Sequence, residues 1–143
     1  MPKTSEQRPL LLDTHVWLWL VLGTGGLSTE VRDAISDAAS IGNLRIAAIT
    51  AWEVALLAAR NRIALGQPTL KWIEEAIARS GIAIEPLSPA IAAESWDLPI
   101  GFHQDPVDRI LVATARIAGV ALLTRDRRIL DYAGRGHLTA IAA

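Results

Sequence analysis

The sequence contains no cysteine, so neither a disulfide framework nor a thiolate metal site is possible. It also lacks a surplus of basic residues, because 14 Lys and Arg residues stand against 15 Asp and Glu residues, for a formal net charge of -1. A protein that reads DNA sequence usually carries a basic surplus, so a general nucleic-acid coat protein is disfavoured. Any nucleic-acid contact must depend on a local basic patch or on metal ions.

The sequence also lacks a hydrophobic segment with the features of a membrane span. The apolar run from Leu10 to Leu22 is interrupted by Asp13 and His15 and is too short to cross a bilayer. No small-residue cleavage site follows it, so we expect a buried strand and a helix rather than a signal peptide. We therefore expect no membrane association and a cytoplasmic location, which the absence of cysteine permits.

The 143 residues, 51% of them hydrophobic, are enough for one domain with a buried core. Short apolar segments that read as strands are separated by helical patterns; they lie at 10–12, 44–49, 82–87, 120–123 and 137–141. This alternation predicts a single α/β domain over residues 10–143, with a central parallel sheet of four to five strands and helices on both faces. Residues 1–9 are polar and contain two prolines, which predicts a flexible N-terminal arm.

Five acidic residues fall where such a sheet binds ligands, just beyond the carboxyl ends of its strands. Asp13 follows the first strand, and Asp126 follows the fourth. Glu53 falls in the first turn of the helix after the second strand. Asp105 and Asp108 take the N-cap and N3 positions of the helix before the fourth strand. These acids are distant in sequence, and we expect most of them to converge on one edge of the sheet.

Each of these acids also has a simpler explanation as part of a helix start. Asp13 and Asp126 are suited to cap helices, and Asp105 and Asp108 could cap theirs and favour its positive end. Thr50 with Glu53 has the spacing of a capping box. Capping does not explain why apolar strands end on acids. Clustered carboxylates repel one another, and a hard divalent cation such as Mg²⁺ or Mn²⁺ relieves the repulsion. The residues alone leave helix capping and a metal site for phosphoryl chemistry equally open.

Four sequence motifs resemble those of PIN-domain ribonucleases, and the variant is similar to VapC-type toxins. The motifs occur in the family's order, as Leu10-Leu11-Leu12-Asp13-Thr14-His15, Ile49-Thr50-Ala51-Trp52-Glu53, His103-Gln104-Asp105-Pro106-Val107-Asp108-Arg109 and Leu122-Leu123-Thr124-Arg125-Asp126. The resemblance spans nearly the whole chain. It implies a Mg²⁺- or Mn²⁺-dependent endoribonuclease that is the toxin of a toxin–antitoxin pair. It further implies an RNA substrate, often tRNA or rRNA, a small antitoxin partner and a homodimer.

The resemblance also assigns roles to individual acids. Asp13 and Asp108 are expected to bind a metal ion directly, whereas Glu53 and Asp126 bind it through water or complete a second ion site. Asp105 is an additional acid of this motif variant, and a ligand, a supporting group and a helix cap remain open for it.

Neighbouring polar residues have expected roles as well. The hydroxyls of Thr14 and Thr124 are candidates to orient carboxylates or water. Arg109 and Arg125 are candidates for RNA phosphate contacts or structural ion pairs, and His103 for a substrate contact or an ordinary loop position. The five tryptophans are candidates for base stacking, although their apolar neighbours favour packing in the core or at a dimer interface.

Competing functions fit the sequence less well. A haloacid-dehalogenase-type phosphatase needs a second acid two residues after the first, where this chain has His15. A phosphate-binding P-loop motif is absent. The alternative that stays open is a catalytically inactive PIN-like module that binds RNA or protein, although the presence of all four expected acids argues against it.

Overall fold

The computed structural model describes residues 8–143, and these form five strands and seven helices. The strands are β1 (Leu10–Leu12), β2 (Leu44–Ala47), β3 (Ala83–Glu85), β4 (Ala121–Thr124) and β5 (Ala140–Ala142). The helices are α1 (Thr14–Leu22), α2 (Thr29–Ser40), α3 (Ala48–Ala59), α4 (Thr69–Ser80), α5 (Pro89–Trp96), α6 (Pro106–Ala118) and α7 (Arg127–Gly134). No helix within the described residues is long and apolar enough to cross a membrane.

The five strands form one sheet in the order β3-β2-β1-β4-β5, and every neighbouring pair is parallel. β1 lies at the centre, with Leu12 beside Ile46 of β2 on one side and beside Leu123 of β4 on the other. The single α/β domain with a parallel sheet is therefore confirmed. The strands that carry Asp13 and Asp126 just beyond their ends are direct neighbours, which places these acids at one edge.

Helices cover both faces of the sheet. Successive strand side chains point to opposite faces, and those on each face pack against helices. Leu12 and Leu123 pack in a core cluster with residues of α1, α2 and α4. Leu11 and Leu122, one position earlier in the same strands, pack in a second cluster with residues of α5, α6 and α7. Because both faces are buried, these strands are continuously apolar rather than alternating.

Several helix ends follow the sequence signals. α1 and α6 end at Gly23 and Gly119, whose φ angles of 69° and 67° lie in the left-handed region that favours glycine. The side chains of Ser28 and Ser88 accept hydrogen bonds from the first turns of α2 and α5. These local rules predicted the boundaries correctly.

The second strand and the helix after it differ from the prediction. β2 ends at Ala47, and α3 begins at Ala48, so the strand predicted to reach Ile49 is too long. Ala47 is the N-cap of α3 and makes no side-chain capping bond. The predicted capping box of Thr50 and Glu53 is therefore wrong, because Thr50 is already inside the helix and Glu53 lies in its second turn. The alanine-rich segment favours helix from its first residue, which explains the earlier start.

The predicted arm at residues 1–9 falls largely outside the described residues, of which Arg8 is the first. The Arg8 guanidinium donates a hydrogen bond to the Thr139 hydroxyl at 2.6 Å, and the Pro9 carbonyl accepts one from the Ala121 N–H at 3.0 Å. These contacts join the entry of β1 to the neighbouring β4–β5 side of the sheet.

Candidate active site

All five predicted acids line one cavity of about 420 Å³. They are Asp13, Glu53, Asp105, Asp108 and Asp126, and the same cavity is lined by His15, Val16, Trp19, Arg125 and Arg128. It lies at the edge of the sheet where β1 and β4 end. The topology thus brings together five acids from four separate points along the sequence, as the strand order predicts.

Asp13 is the most buried of these acids, with only 8% of its surface exposed. It follows β1, where its N–H donates to the Leu123 carbonyl at 3.0 Å. The Thr124 hydroxyl donates a hydrogen bond to Asp13 Oδ2 at 2.6 Å. Burial raises the pKa of Asp13 above its usual value, and the Thr124 hydrogen bond only partly opposes this effect. Asp13 is the N-cap of α1 but makes no side-chain capping bond, so its carboxylate is not used to start the helix.

Glu53 reaches the cavity from the second turn of α3, next to a pair of buried threonines. The hydroxyls of Thr14 and Thr50 lie 3.1 Å apart, which joins the start of α1 to α3. Burial raises the pKa of Glu53, a hydrogen bond from the Thr14 side chain lowers it, and the charge of Asp13 raises it further. Thr14 therefore supports Glu53, whereas Thr124 supports Asp13.

Asp105 and Asp108 come from the first turn of α6. Asp105 is the N-cap, and its Oδ1 accepts a hydrogen bond from the Asp108 N–H at 3.0 Å, so the capping role is real and coexists with a place in the cavity wall. The pKa of Asp108 is raised to about 7, first by burial and then by the charges of Asp105, Asp126 and Asp13. A nearby cation would therefore strongly stabilise the ionised form of Asp108.

His103 lies in the loop before α6 and faces the carboxylates. Its Nδ1 accepts a hydrogen bond from the Asp105 N–H at 3.2 Å, which leaves the proton on Nε2 in the neutral ring. Nε2 is 3.3 Å from Asp108 Oδ2, but the angle is not that of a hydrogen bond. Burial, followed by the charge of Arg128, lowers the pKa of His103, so the ring is neutral at pH 7.

Asp126, like Asp105, accepts backbone hydrogen bonds through its carboxylate. Its Oδ1 accepts hydrogen bonds from the N–H groups of Arg128 at 2.8 Å and Ile129 at 3.3 Å, and it caps α7. Burial raises the pKa of Asp126, but hydrogen bonds from the Arg128 side chain and these N–H groups outweigh burial and lower it overall. The Thr124 hydroxyl also accepts from the Asp126 N–H at 3.0 Å, and so it links Asp126 to Asp13.

Arg109 is placed away from the cavity, in the wall behind it. It is only 6% exposed, and its guanidinium donates to the carbonyls of Ser95 at 2.7 Å and His103 at 3.0 Å. It also lies 4.7 Å from the centre of the Trp96 ring. Among the contacts of the described residues, backbone carbonyls rather than acids are its hydrogen-bond partners, so it anchors the loop that carries His103.

Arg125 lies at the rim of the cavity and is exposed. Its guanidinium donates to the carbonyls of Ala143 at 3.2 Å and Gly26 at 3.3 Å, and lies 4.3 Å from the centre of the Trp19 ring. A cation therefore stands beside the acids, where a phosphate group can reach it.

Comparison with known proteins identifies the family. The family model of the PIN domain matches residues 10–135. The chain belongs to the PIN-domain family. The curated protein Ribonuclease VapC22 of Mycobacterium tuberculosis is 37% identical over 123 residues, which cover 86% of this chain and 91% of that protein. The resemblance to VapC-type PIN domains is therefore confirmed.

Solved structures agree with this assignment. VapBC2 from Rickettsia felis, bound to a DNA fragment from their promoter, has a chain with a TM-score of 0.69 at 12% identity, covering 94% of this chain and 98% of that one. A toxin–antitoxin complex from Klebsiella pneumoniae has a chain with a TM-score of 0.60 at 25% identity, covering 92% of this chain and 95% of that one. At 12% identity, the likeness to the Rickettsia felis chain shows the PIN fold alone.

The donor set of this PIN domain suits a hard divalent cation. Every candidate ligand is a carboxylate, and the nearby hydroxyls of Thr14 and Thr124 add oxygen atoms rather than nitrogen or sulfur, which favours Mg²⁺ or Mn²⁺. Burial is the main cause of the raised pKa values of Asp13, Glu53 and Asp108, and the charges of neighbouring acids raise them further, so a bound cation would stabilise the ionised cluster. Within residues 8–143, no three Asp, Glu or His side chains already stand in a metal-binding arrangement.

One residue of the cavity wall, Arg128, was not predicted from the sequence. Arg128 lies 3.6 Å from Asp108 Oδ2 and 3.4 Å from Asp126 Oδ2, although its side chain is 62% exposed. The available signal was an arginine in the first turn of a helix, where the helix dipole disfavours a cation unless acids lie close by. His15 and Trp19 also line the cavity, one helical turn apart on α1.

Proposed function

We propose that this protein is a Mg²⁺- or Mn²⁺-dependent endoribonuclease and the toxin of a toxin–antitoxin pair. The ribonuclease activity is supported by the PIN family match and by the relative named Ribonuclease VapC22. The antitoxin partner is supported by the structural neighbours that are toxin–antitoxin complexes. A small antitoxin protein, a homodimer, a cytoplasmic location and a tRNA or rRNA target belong to the same proposal.

The convergence of five carboxylates around one cavity is the observation that carries the proposal. Five clustered acids, with only Arg125 and Arg128 beside them in the cavity wall, would repel an RNA backbone, so such a cavity suits a nucleic-acid enzyme only if cations enter it. The pKa of Asp108, raised to about 7 mainly by burial and by Asp105, is what such a cavity shows before a cation is bound.

Asp13 and Asp108 are assigned to direct metal binding, and Glu53 and Asp126 to binding through water or to a second ion. A bound Mg²⁺ or Mn²⁺ would supply Lewis acidity, which neutralises charge on the phosphodiester and lowers the pKa of water. The chain itself contributes orientation. Thr124 fixes Asp13 through its 2.6 Å hydrogen bond.

Cationic and polar residues around the acids would receive the substrate. Arg125 at the rim is suited to a phosphate contact, and so is Arg128, whose side chain is 62% exposed although it pairs with Asp108 and Asp126. The Nε2 of His103 is buried 3.3 Å from Asp108 Oδ2, and His103 does not line the cavity, so it is suited to support Asp108 rather than to contact RNA. Asp105 caps α6 and adds negative charge near Asp108.

The experiment is digestion of total cellular RNA by the purified protein with Mn²⁺, followed by mapping of the new ends. We expect cuts at a few discrete sites that disappear with EDTA and in an Asp13→Asn variant. Asp33→Asn is the matched control, because Asp33 is an exposed acid on α2 that does not line the cavity. This control should cut as the unmodified protein does.

Absence of cleavage by a folded, antitoxin-free and Mn²⁺-loaded protein across a broad RNA panel would contradict the proposal. It would instead favour a PIN-like module that binds RNA or protein without cutting it. Cleavage that persists equally in EDTA or in Asp13→Asn would show that the nuclease is a contaminant.

A further inference from the structure

A second cavity, of about 300 Å³, adjoins the acidic one. His15 and Trp19 line both cavities and so form their common wall. The second cavity has a different chemistry: it contains no acid and is lined by aliphatic side chains and one arginine, among them Leu22, Leu57, Arg62 and Ile63. Its volume is at the lower end of the range of small-molecule sites, about 300–1,000 Å³.

The Trp19 ring is held in a fixed position from neighbouring loops. Gly25 has a φ of 75°, and a Cβ at this position would overlap the Trp19 ring, so only glycine allows the turn to pack so closely. The Arg125 guanidinium lies 4.3 Å from the centre of the same ring, and the Trp19 carbonyl accepts a hydrogen bond from the Thr24 N–H at 3.1 Å. An immobilised indole loses little entropy when it contacts a ligand.

Trp19 differs from the other four tryptophans in its surroundings. Trp17 and Trp72 are buried and pack edge-on against each other in the core, with ring centres 5.9 Å apart. Trp52 and Trp96 are more than half exposed and line neither cavity. Only Trp19 is a partly buried tryptophan in a cavity wall next to the acids.

We propose that the second cavity binds the base of an RNA nucleotide next to the cleaved phosphodiester, and this rests on the proposed function. The base would contact Trp19 and His15, whose rings lie 6.2 Å apart, and the aliphatic wall behind them. Arg62 and Arg125 flank the cavity and would pair with the phosphates on either side. This combination of ring surface and cations matches a single-stranded nucleotide better than an apolar peptide.

The test measures affinity for a short fluorescein-labelled single-stranded RNA by fluorescence anisotropy, with Mg²⁺ and in an Asp13→Asn background that prevents cleavage. Trp19→Leu should weaken binding at least about fivefold, as expected for the loss of one stacked base. Arg62→Gln should weaken binding less and reduce its salt dependence. Arg62 is exposed, so this variant is informative even if Trp19→Leu is found unfolded by thermal melting.

Matched controls replace the same residue types at exposed positions outside both cavities. Trp52→Leu removes an exposed tryptophan from α3, and Arg60→Gln removes an exposed arginine two residues from Arg62; neither residue lines a cavity wall described above. Both controls should bind as the background protein does. A double-mutant cycle is completed with a series of RNAs, each of which lacks the base at one position. At one position, loss of the base should weaken binding to the background protein but not to Trp19→Leu.

The inference would be overturned if Trp19→Leu, Arg62→Gln and the background protein bound RNA with equal affinity, or if none of them bound RNA measurably. A protein partner would then be the better candidate for the cavity. The two proposals fail separately. Trp19-dependent binding without any cleavage by the unmodified protein would refute the nuclease while keeping the base site. Normal cleavage of cellular RNA with equal affinities would refute the base site alone.

Discussion

The acids that enter the cavity from α1 and α3 differ from the acids that enter from the starts of α6 and α7. Asp13 is an N-cap residue without a side-chain capping bond, and Glu53 lies inside a helix. Asp105 and Asp126 are N-caps whose carboxylates accept backbone N–H groups. Helix capping therefore accounts for Asp105 and Asp126, but not for Asp13, Glu53 or Asp108, although all of them looked alike in the sequence.

The difference has an electrostatic consequence. Asp126 is supported by N–H groups and by Arg128, and its pKa is lowered despite burial. Asp13 and Glu53 are supported mainly by threonine hydroxyls, which do not offset burial, and their pKa values are raised. A buried acid with a raised pKa and no capping role is a stronger functional candidate than an acid that starts a helix.

Removal of the Asp108 charge should have the largest effect on stability. Its pKa is raised to about 7 by burial and by Asp105, so the folded state holds a proton that the unfolded state releases. In EDTA, the free energy of unfolding should therefore fall as pH rises from about 4 to about 7, by up to about 4 kcal/mol, and level off above that. Asp108→Asn should remove most of this dependence in urea unfolding at pH 5 and pH 8.

The pH profile also separates Asp108 from Asp126. Asp126→Asn should flatten the profile much less, because hydrogen bonds from Arg128 and Ile129 outweigh burial and lower the pKa of Asp126 itself, and its charge is a smaller cause of the raised Asp108 pKa than burial. An identical pH dependence in Asp108→Asn and the unmodified protein would contradict the electrostatic description of Asp108.

Thr124 connects the two groups, so its hydroxyl is the next most informative target. It donates to Asp13 and accepts from the Asp126 N–H. Thr124→Val should reduce Mn²⁺ affinity and RNA cleavage about 10- to 100-fold, the usual effect of removing a group that orients a metal ligand. Thr124→Ser retains the hydroxyl and should recover most of both. If Thr124→Val and Thr124→Ser have the same Mn²⁺ affinity and cleavage rate, the Thr124 hydroxyl has no positioning role.

Smaller stability effects should have opposite signs in the two groups. Asp126→Ala removes a helix cap and should destabilise the metal-free protein by about 1 kcal/mol. Asp13→Asn removes a buried charge from a residue that caps nothing, and should leave the metal-free melting temperature unchanged or higher. Thermal melting in EDTA at pH 8 compares the two, and clear destabilisation by Asp13→Asn would contradict the contrast.

The smallest effect is expected for Arg128. Its exposed guanidinium pairs with Asp108 and Asp126 and would compete with a cation for them. Arg128→Gln should therefore tighten Mn²⁺ binding by no more than about fivefold, since exposed ion pairs contribute about 0–1 kcal/mol. Arg127→Gln, at an exposed neighbouring position of α7, is the control. Weaker Mn²⁺ binding in Arg128→Gln alone would show that Arg128 supports the site instead.

The sequence predicted the sheet and the place of the acids because both depend on local signals. Apolar strands, Ser28 and Ser88 caps and terminal glycines determine the elements, and parallel strands bring their carboxyl ends to one edge. The start of α3 was misplaced because an apolar alanine-rich segment satisfies strand and helix patterns alike. The pairing of Arg128 with Asp108 and the packing of Arg125 against Trp19 were not predictable, because each contact joins residues that are distant in sequence.

Mn²⁺ binding by the cavity acids is the central claim, and electron paramagnetic resonance of free Mn²⁺ during titration with protein tests it directly. The unmodified protein should remove Mn²⁺ from solution, and Asp33→Asn should do the same. Asp13→Asn combined with Asp108→Asn should bind at least about 100-fold more weakly, because both proposed direct ligands lose their charge. Equal Mn²⁺ binding by the double variant and the unmodified protein, or no binding by either, would contradict the account.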